Sequence, residues 1–330
     1  MNGKFTRRDF LKYTAAGLGS LAFRSPYGTG ADPEGGDLAR VATTSISVYS
    51  KPNDKSTILY QRNRDDLVNI YYEVVSEDGP GYNPLWYRVW RGYIHSANLA
   101  RVKVHLNEPV SNIPEKTGQL AEVTVPFTQT MRYLTYNKTW QPIYRLYYGS
   151  THWVMGLDTG PDGTPWYRLH DELTEVEYHT PAVNLRLISD EEFAPISPEV
   201  PAWEKRIEVS LSQQTLTAYE QGNVVLKTTI SSGVPDSRNN PDIIPTNTPT
   251  GKFHVYSKMP SKHMGDGQLT SDIEAYELPG VPWTTFFAEH GVAFHGTYWH
   301  TNYGVPMSHG CVNMRTEEAK IGRASCRERV

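Results

Sequence analysis

Apolar and polar residues alternate in short runs along the first third of the chain, and each run stops at a turn signal. Ser45 to Ser50 reads Ser-Ile-Ser-Val-Tyr-Ser; Leu67 to Tyr72 and Trp86 to Trp90 follow the same rule. Pro52-Asn53-Asp54 and Asp78-Gly79-Pro80-Gly81 stand between them. Successive side chains of a strand point to opposite faces, so a run of period two makes a strand with one face in a core. The turn residues between runs bring neighbours back antiparallel. Pro (23) and Gly (26) are frequent and aromatics make up 12% of the chain, a mixture that favours short strands and turns over long helices.

The pattern then repeats. Trp86-Tyr87-Arg88-Val89 returns as Trp166-Tyr167-Arg168-Leu169, an offset of 80, and Tyr93-Ile94-His95…Asn98-Leu99 returns loosely as Tyr178-His179…Asn184-Leu185. A spacing this long means two copies of a small domain rather than a solenoid. We place them at residues 40–104 and 120–189. They resemble bacterial SH3-like barrels, with Trp86 and Trp166 expected in the barrel cores. A proline-bearing linker follows at 190–202 (Pro195, Pro198, Pro201), and a third body spans 203–320. Its opening runs, Arg206 to Leu211, Thr215 to Tyr219 and Val224 to Ile230, read as successive strands of a meander, and Phe253-His254-Val255-Tyr256 as a further strand. The predicted fold class is mostly β: two small barrels followed by a β-sandwich.

The two ends read differently. Thr6-Arg7-Arg8-Asp9-Phe10-Leu11-Lys12, before the weakly apolar stretch from Tyr13 to Phe23, resembles a twin-arginine export signal. The stretch is too short to span a bilayer comfortably as a helix. The resemblance implies export of a folded protein to the cell wall or periplasm, with residues 1–31 as signal and spacer and the signal as the one point of membrane contact. Residues 321–330 are basic, lack strand pattern and resemble translated adapter sequence, so Cys326 carries no expected role. Thr316 to Lys320 reads as the start of a helix, with Glu317 and Glu318 suiting its N-terminal dipole. Net charge is −4, from 32 basic and 36 acidic residues, and gives no electrostatic basis for nucleic-acid binding.

The chemistry is concentrated near Cys311. A thiol attacks only as thiolate and needs a base or a positive field beside it. Val292-Ala293-Phe294-His295-Gly296-Thr297 reads as a buried strand carrying a base. Ser308-His309-Gly310-Cys311-Val312-Asn313 places the nucleophile sixteen residues beyond His295, just after a glycine that lets the backbone turn. Amides of Gly310 and Cys311, with His309, are expected to hold an oxyanion. His309 and Asn313 would hold the loop, and Ser308 belongs to the same motif. Arg315 would meet a carboxylate, and Trp283, Tyr298, Trp299 and Tyr303 would line a cleft.

This motif resembles the signature of the L,D-transpeptidases of the YkuD family, and Pro245-Thr-Asn-Thr-Pro-Thr-Gly-Lys-Phe253 resembles a second family segment. The resemblance implies a β-sandwich with the site at one end. It implies Cys311 as nucleophile, His295 as proton donor and acceptor, and Thr297 as the group orienting His295. It also implies cross-linking of peptidoglycan stem peptides through a thioester, with release of D-alanine from a donor tetrapeptide and no cofactor or metal. Binding of the substrate is assigned to Asn313, Arg315, Tyr298 and Trp299, with glycan as a further partner. Carbapenem-type β-lactams are expected to acylate Cys311.

Three other readings are weaker. His290, His295, His300 and His309 suggest zinc, but five-residue spacings put neighbours on opposite faces of a strand. A papain-like wall peptidase orders cysteine before histidine, the reverse of this chain, although hydrolysis (carboxypeptidase action) at the same site fits the residues. A non-catalytic wall-binding protein would not need both His295 and Cys311.

Overall fold

A computed structural model describes residues 37–325, apart from 82, 115, 195 and 236–245. The twin-arginine segment, Pro245, Cys326 and the rest of the last five residues lie outside the described residues. The protein is mostly β, with several sheets and little helix.

The first body holds eight strands: β1 (Asp37–Val41), β2 (Ser45–Tyr49), β3 (Ile58–Asn63), β4 (Leu67–Ile70), β5 (Tyr72–Val75), β6 (Leu85–Val89), β7 (Gly92–His95) and β8 (Leu99–Val102). They form two antiparallel sheets, ordered β4-β1-β8 and β3-β2-β7-β6-β5. Ala39, Val41, Val68, Ile70 and Leu99 from the first meet Val48, Tyr87, Val89 and Ile94 from the second. Each of the larger aliphatic side chains contributes about 1.5–3 kcal/mol by leaving water. Neither strand order closes on itself, so the body is a pair of packed open sheets rather than the expected barrel.

The second body holds β9 (Gln119–Val123), β10 (Phe127–Leu134), β11 (Thr139–Tyr147), β12 (Thr151–Thr159), β13 (Pro165–Asp171), β14 (Val176–Pro181) and β15 (Leu185–Leu187). These form one seven-stranded sheet, ordered β11-β10-β14-β13-β12-β9-β15, again without closure. The sequence repeat has a structural counterpart. β6 and β13 carry the two copies of the Trp-Tyr-Arg motif, and each copy ends in a strand, a 3-10 turn (Ser96–Asn98, Ala182–Asn184) and a short strand.

Trp86 and Trp166 depart from expectation. Both are buried, but the core clusters contain Tyr87 and Tyr167 instead. Adjacent residues of a strand face opposite ways, so each tryptophan lies on the outer face under a preceding turn. Only glycine fits there: a Cβ on Gly79 would come within 2.5 Å of Trp86, and one on Gly160 within 2.1 Å of Trp166.

The third body packs two sheets. One is β16 (Lys205–Ser210), β17 (Thr215–Glu220) and β18 (Asn223–Thr229); the other is β19 (Ser257–Gly265), β20 (Glu277–Phe286), β21 (Ala293–Gly296) and β22 (Val312–Met314). Ile207, Leu216, Ala218 and Ile230 meet Trp283, Phe294, Val312 and Met314 between them. A helix at Thr316–Ser325 closes one side and contributes Ala319 to the core. Phe253 to Tyr256 does not form the expected strand. Phe253 and Val255 pack on the core, but pairing with β20 begins only where Tyr256 donates its amide to the Phe286 carbonyl, at the end of β20. Residues 190–202 are tied down rather than free. A short helix, Asp190–Phe193, carries Glu192, which pairs with Arg186 at 2.6 Å and with Lys320 at 3.0 Å.

Arg40 joins the three bodies. Its buried guanidinium donates to Asp65 at 2.9 Å and to the Tyr298 carbonyl at 3.0 Å, and lies 4.0 Å from the Tyr147 ring centroid. A second junction is ionic. His263 on β19 sits between Asp171 of β13, at 2.6 Å, and Glu277 of β20, at 2.8 Å, with all three side chains almost fully buried.

Candidate active site

Two parallel strands position the candidate residues, His295 on the first and Cys311 just before the second. β21 is buried along its whole length and pairs with β22, placing Phe294 beside Val312 and His295 beside Asn313. Continuing that register by one residue sets Cys311 beside Ala293. Residues two apart on a strand share a face, so Cys311 and His295 lie on the same side, diagonally across neighbouring strands. Parallel strands cannot be joined by a tight turn, and the chain covers the distance with residues 297–311, the segment that bears the cysteine motif.

The cysteine loop is held by backbone and hydroxyl groups. Gly310 has φ +121°, a conformation that favours glycine. Thr248 accepts from the Gly233 amide at 2.8 Å and donates to the Gly310 carbonyl at 2.7 Å. The Met307 and Ser308 amides donate to the Ser232 carbonyl, and the Val234 amide donates to the Ser308 carbonyl. Gln214 in turn fixes Ser232, donating to its hydroxyl and accepting from its amide, both at 2.8 Å. Gly233 must be small: a Cβ there would stand 2.0 Å from the Thr246 carbonyl oxygen and 2.9 Å from the Gly310 Cα.

His295 is buried, and its Nδ1 donates to the Gly296 carbonyl at 3.0 Å. A carbonyl only accepts, so this bond assigns the proton to Nδ1 and leaves the Nε2 lone pair free. Burial pushes the imidazole down to about 4, against the Gly296 hydrogen bond, which favours the charged form. The resting ring is therefore neutral near pH 7. The half-buried Cys311 thiol donates to the Gly291 carbonyl at 3.8 Å. Burial pushes this thiol up, opposed by a hydrogen bond with the Ala293 backbone. Burial thus disfavours the charged form of both groups.

The remaining sequence-predicted residues fall into different places. Ser308 works on the loop, accepting from the Gly310 amide at 3.2 Å and donating to the Cys311 carbonyl at 2.5 Å. That commits the Gly310 amide, which was expected in an oxyanion hole. His309 is exposed, its ring edge-on to Tyr276 at 6.0 Å. Thr297 does not orient His295. Its hydroxyl shares a 2.6 Å hydrogen bond with Tyr303 and donates to the Met314 carbonyl, and the Gly296 carbonyl takes the orienting role instead.

Asn313 is only 1% exposed and hydrogen-bonds His300 at 2.8 Å, so it is closed to a substrate and serves the interior. Tyr298 is also buried, donating to the Pro279 carbonyl and stacking on Tyr147 at 5.9 Å. Arg315 lies 4.6 Å from the Tyr303 ring centroid and donates to Thr228 at 3.1 Å. Arg315 and Tyr298 line a cavity of about 780 Å³ between the three bodies, whose walls include neither His295 nor Cys311. Trp299 stays with the candidate pair, its ring 5.6 Å from that of His295, whereas Asn313, although paired with His295 in the strand register, is buried.

One residue that the sequence did not single out does belong here. Tyr276 packs on His309, and its hydroxyl is pushed up chiefly by burial. It ends a segment fastened to the first body: Arg64 grips the Glu274 carboxylate with two bonds, at 2.8 and 2.9 Å, and Thr44 adds a third at 2.9 Å. Nothing local in the sequence marks Tyr276, because fold topology alone brings it to the cysteine.

Residues 204–321 match the family model of YkuD, the L,D-transpeptidase catalytic domain, and this span contains both His295 and Cys311. Among solved structures, the chain is similar to an Enterococcus faecium L,D-transpeptidase carrying a cysteine-to-serine mutation, with 28% identity over 38% of this chain and 47% of that one and a TM-score of 0.30. It is also similar to the L,D-transpeptidase (residues 123–326) from Xylanimonas cellulosilytica, with 28% identity over 35% of this chain and 51% of that one and a TM-score of 0.27. For the L,D-transpeptidase from Mycobacterium smegmatis the identity is 22% over 47% of this chain and 70% of that one, with a TM-score of 0.31. The chain spans about half the length of the first two. No curated protein matches it.

Proposed function

We propose that this chain, whose residues 204–321 are an L,D-transpeptidase catalytic domain of the YkuD family, cross-links peptidoglycan stem peptides outside the cytoplasm after export by the twin-arginine route. The observation that carries this reading is the tautomer of His295. With Nδ1–H held by the Gly296 carbonyl, the Nε2 lone pair is the ring's free site, on the face shared with Cys311.

The reaction runs in two halves. As Cys311 Sγ attacks the carbonyl carbon of the third residue of a donor tetrapeptide, its proton passes to His295 Nε2 and the carbonyl becomes an oxyanion. Collapse breaks the C–N bond, and the proton leaves with the amine of D-alanine. The acyl group now rests on sulfur as a thioester. An acceptor amine attacks this carbonyl and gives a proton to His295, the C–S bond breaks, and the thiol is restored with that proton. The product is a third-to-third-residue cross-link. Amides of His309 and Cys311 serve the oxyanion, since that of Gly310 is engaged by Ser308.

Mass spectrometry of the intact protein tests this directly. After incubation with a disaccharide-tetrapeptide, the mass should rise by that of the substrate less alanine, and Cys311→Ala should show no rise. Adding an acceptor stem should discharge the adduct into a cross-linked dimer. A tripeptide product with no dimer would make water the acceptor and the chain a carboxypeptidase. No adduct on the intact protein would refute the thioester.

A further inference from the structure

The first body has a second chemical surface, on strands that carry neither His295 nor Cys311. Strand register lines up Ile58, Tyr49, Tyr93, Arg88 and Tyr72 in one row across β3, β2, β7, β6 and β5. Their neighbours in sequence, Val48, Tyr87, Val89 and Ile94, fill the core, so this row lies on the outward face. Five strands at a spacing of about 4.8 Å make the row roughly 19 Å long. Tyr72 is 54% exposed, and the flanking Trp90, in the β6–β7 turn, is 61% exposed. Tyr72 and Tyr93 hydrogen-bond through their side chains.

The row is also cationic. Arg88 lies 4.9 Å from the Tyr93 ring centroid and Arg91 lies 5.9 Å from that of Trp90. Neither forms an ion pair with a carboxylate among the described residues, in contrast to Arg64 and Arg101 of the same body. The turn joining β2 to β3 ends beside this site, because Tyr49 pairs with Tyr93. It adds Lys51 and Lys55 against the one acid Asp54.

We propose that this face binds the glycan strand of peptidoglycan, an inference that rests on the proposed function for its choice of polymer. Tyrosine and tryptophan offer flat apolar faces for the C–H faces of sugar rings, with hydroxyl groups at their edges. Arg91, which forms no ion pair with a carboxylate among the described residues, meets the pendant carboxylates of the polymer, with Arg88 beside it, held on the Tyr93 ring and by the Gly92 carbonyl at 2.8 Å. A nucleic acid is disfavoured by the chain's net charge of −4.

Co-sedimentation with purified insoluble peptidoglycan, freed of phosphate polymers, tests the proposal. The full chain is used as Cys311→Ala, so that turnover does not alter the sacculus. Tyr72→Ala combined with Trp90→Ala, two exposed positions, should weaken binding at least fivefold without changing the unfolding temperature. Arg91→Glu should weaken it similarly, and added salt should weaken the parent but hardly affect Arg91→Glu. Bound protein should persist on glycan strands stripped of stems by an amidase. Equal sedimentation of all variants, loss of binding once stems are removed, or preference for an oligonucleotide would each overturn the proposal. Acylation of Cys311 by a free tetrapeptide, measured in the same surface variants with Cys311 intact, should stay unchanged. That separates failure of this surface from failure of the catalytic reading.

Discussion

Thr248→Val isolates what holds the nucleophile, because Thr248 touches neither Cys311 nor His295 in the arrangement described. Valine keeps the shape and removes the hydroxyl, which accepts from the Gly233 amide at 2.8 Å and donates to the Gly310 carbonyl at 2.7 Å. Thr248 is buried, so the two backbone groups lose their partner away from water. An unmet buried polar group costs about 1–3 kcal/mol, so losing both partners should destabilise the catalytic body by roughly 2–4 kcal/mol. The Gly310 turn also loses its anchor, and displacement of a nucleophile by about 1 Å costs up to ~100-fold in rate. Urea denaturation followed by tryptophan fluorescence reads the first effect, and the rate of Cys311 acylation by a carbapenem reads the second. Thr248→Ser keeps the hydroxyl and should recover most of both. A valine variant that stays within about 0.5 kcal/mol of the parent and acylates at the parental rate would refute this role for Thr248.

Alkylation of Cys311 by iodoacetamide, in a Cys326→Ser background, should be slow at pH 7 and accelerate steadily into alkali, because burial holds the thiol up. A fast rate that is flat with pH would instead reveal a standing thiolate–imidazolium pair. For His263, burial alone would push the ring down, but its hydrogen bonds to Asp171 and Glu277 prevail and raise it. A raised histidine stabilises fully below its unfolded pKa of about 6.5, and that contribution fades as pH climbs through the folded value. Asp171 is likewise pushed up by burial but held low overall by His263, so its share is present above about pH 4 and is lost on acidification. Stability should therefore peak between these limits, and His263→Gln should flatten the alkaline slope; an unchanged slope in its unfolding curves would remove His263 as the cause. Arg40→Met should cost about 3 kcal/mol, the low end for a broken buried pair since Asp65 keeps Arg145, and should raise sensitivity to limited proteolysis between the bodies. Proteolysis at the parental rate would show that Arg40 is not what joins them.

Much of this protein could be read from order along the chain. A period of two is a local property, and it located strands such as Ser45–Tyr49, Leu85–Val89 and Thr215–Glu220, while a continuous buried run pointed to the Ala293–Gly296 strand that carries His295. The order histidine, glycine, cysteine likewise marked the residues proposed for the chemistry, since the residue types that can supply a nucleophile and a base are few. Faces and partners were another matter. The same alternation that made β6 a strand could not say whether Trp86 or Tyr87 met the core; the packing of the opposite sheet decided for the tyrosine. Phe253 to Tyr256 had the pattern of a strand, but pairing with β20 reaches only its last residue, Tyr256. Asn313 and Arg315 stand beside the cysteine in sequence, yet one is buried against His300 and the other lines the cavity between the bodies. Arg40 reaches a carbonyl 258 residues away, and Tyr276 reaches the cysteine loop from the segment just before β20. Alternation is set by the geometry of one strand and is therefore written locally. Which distant group satisfies a buried charge or borders a thiol depends on how whole sheets stack, and only the folded chain settles that.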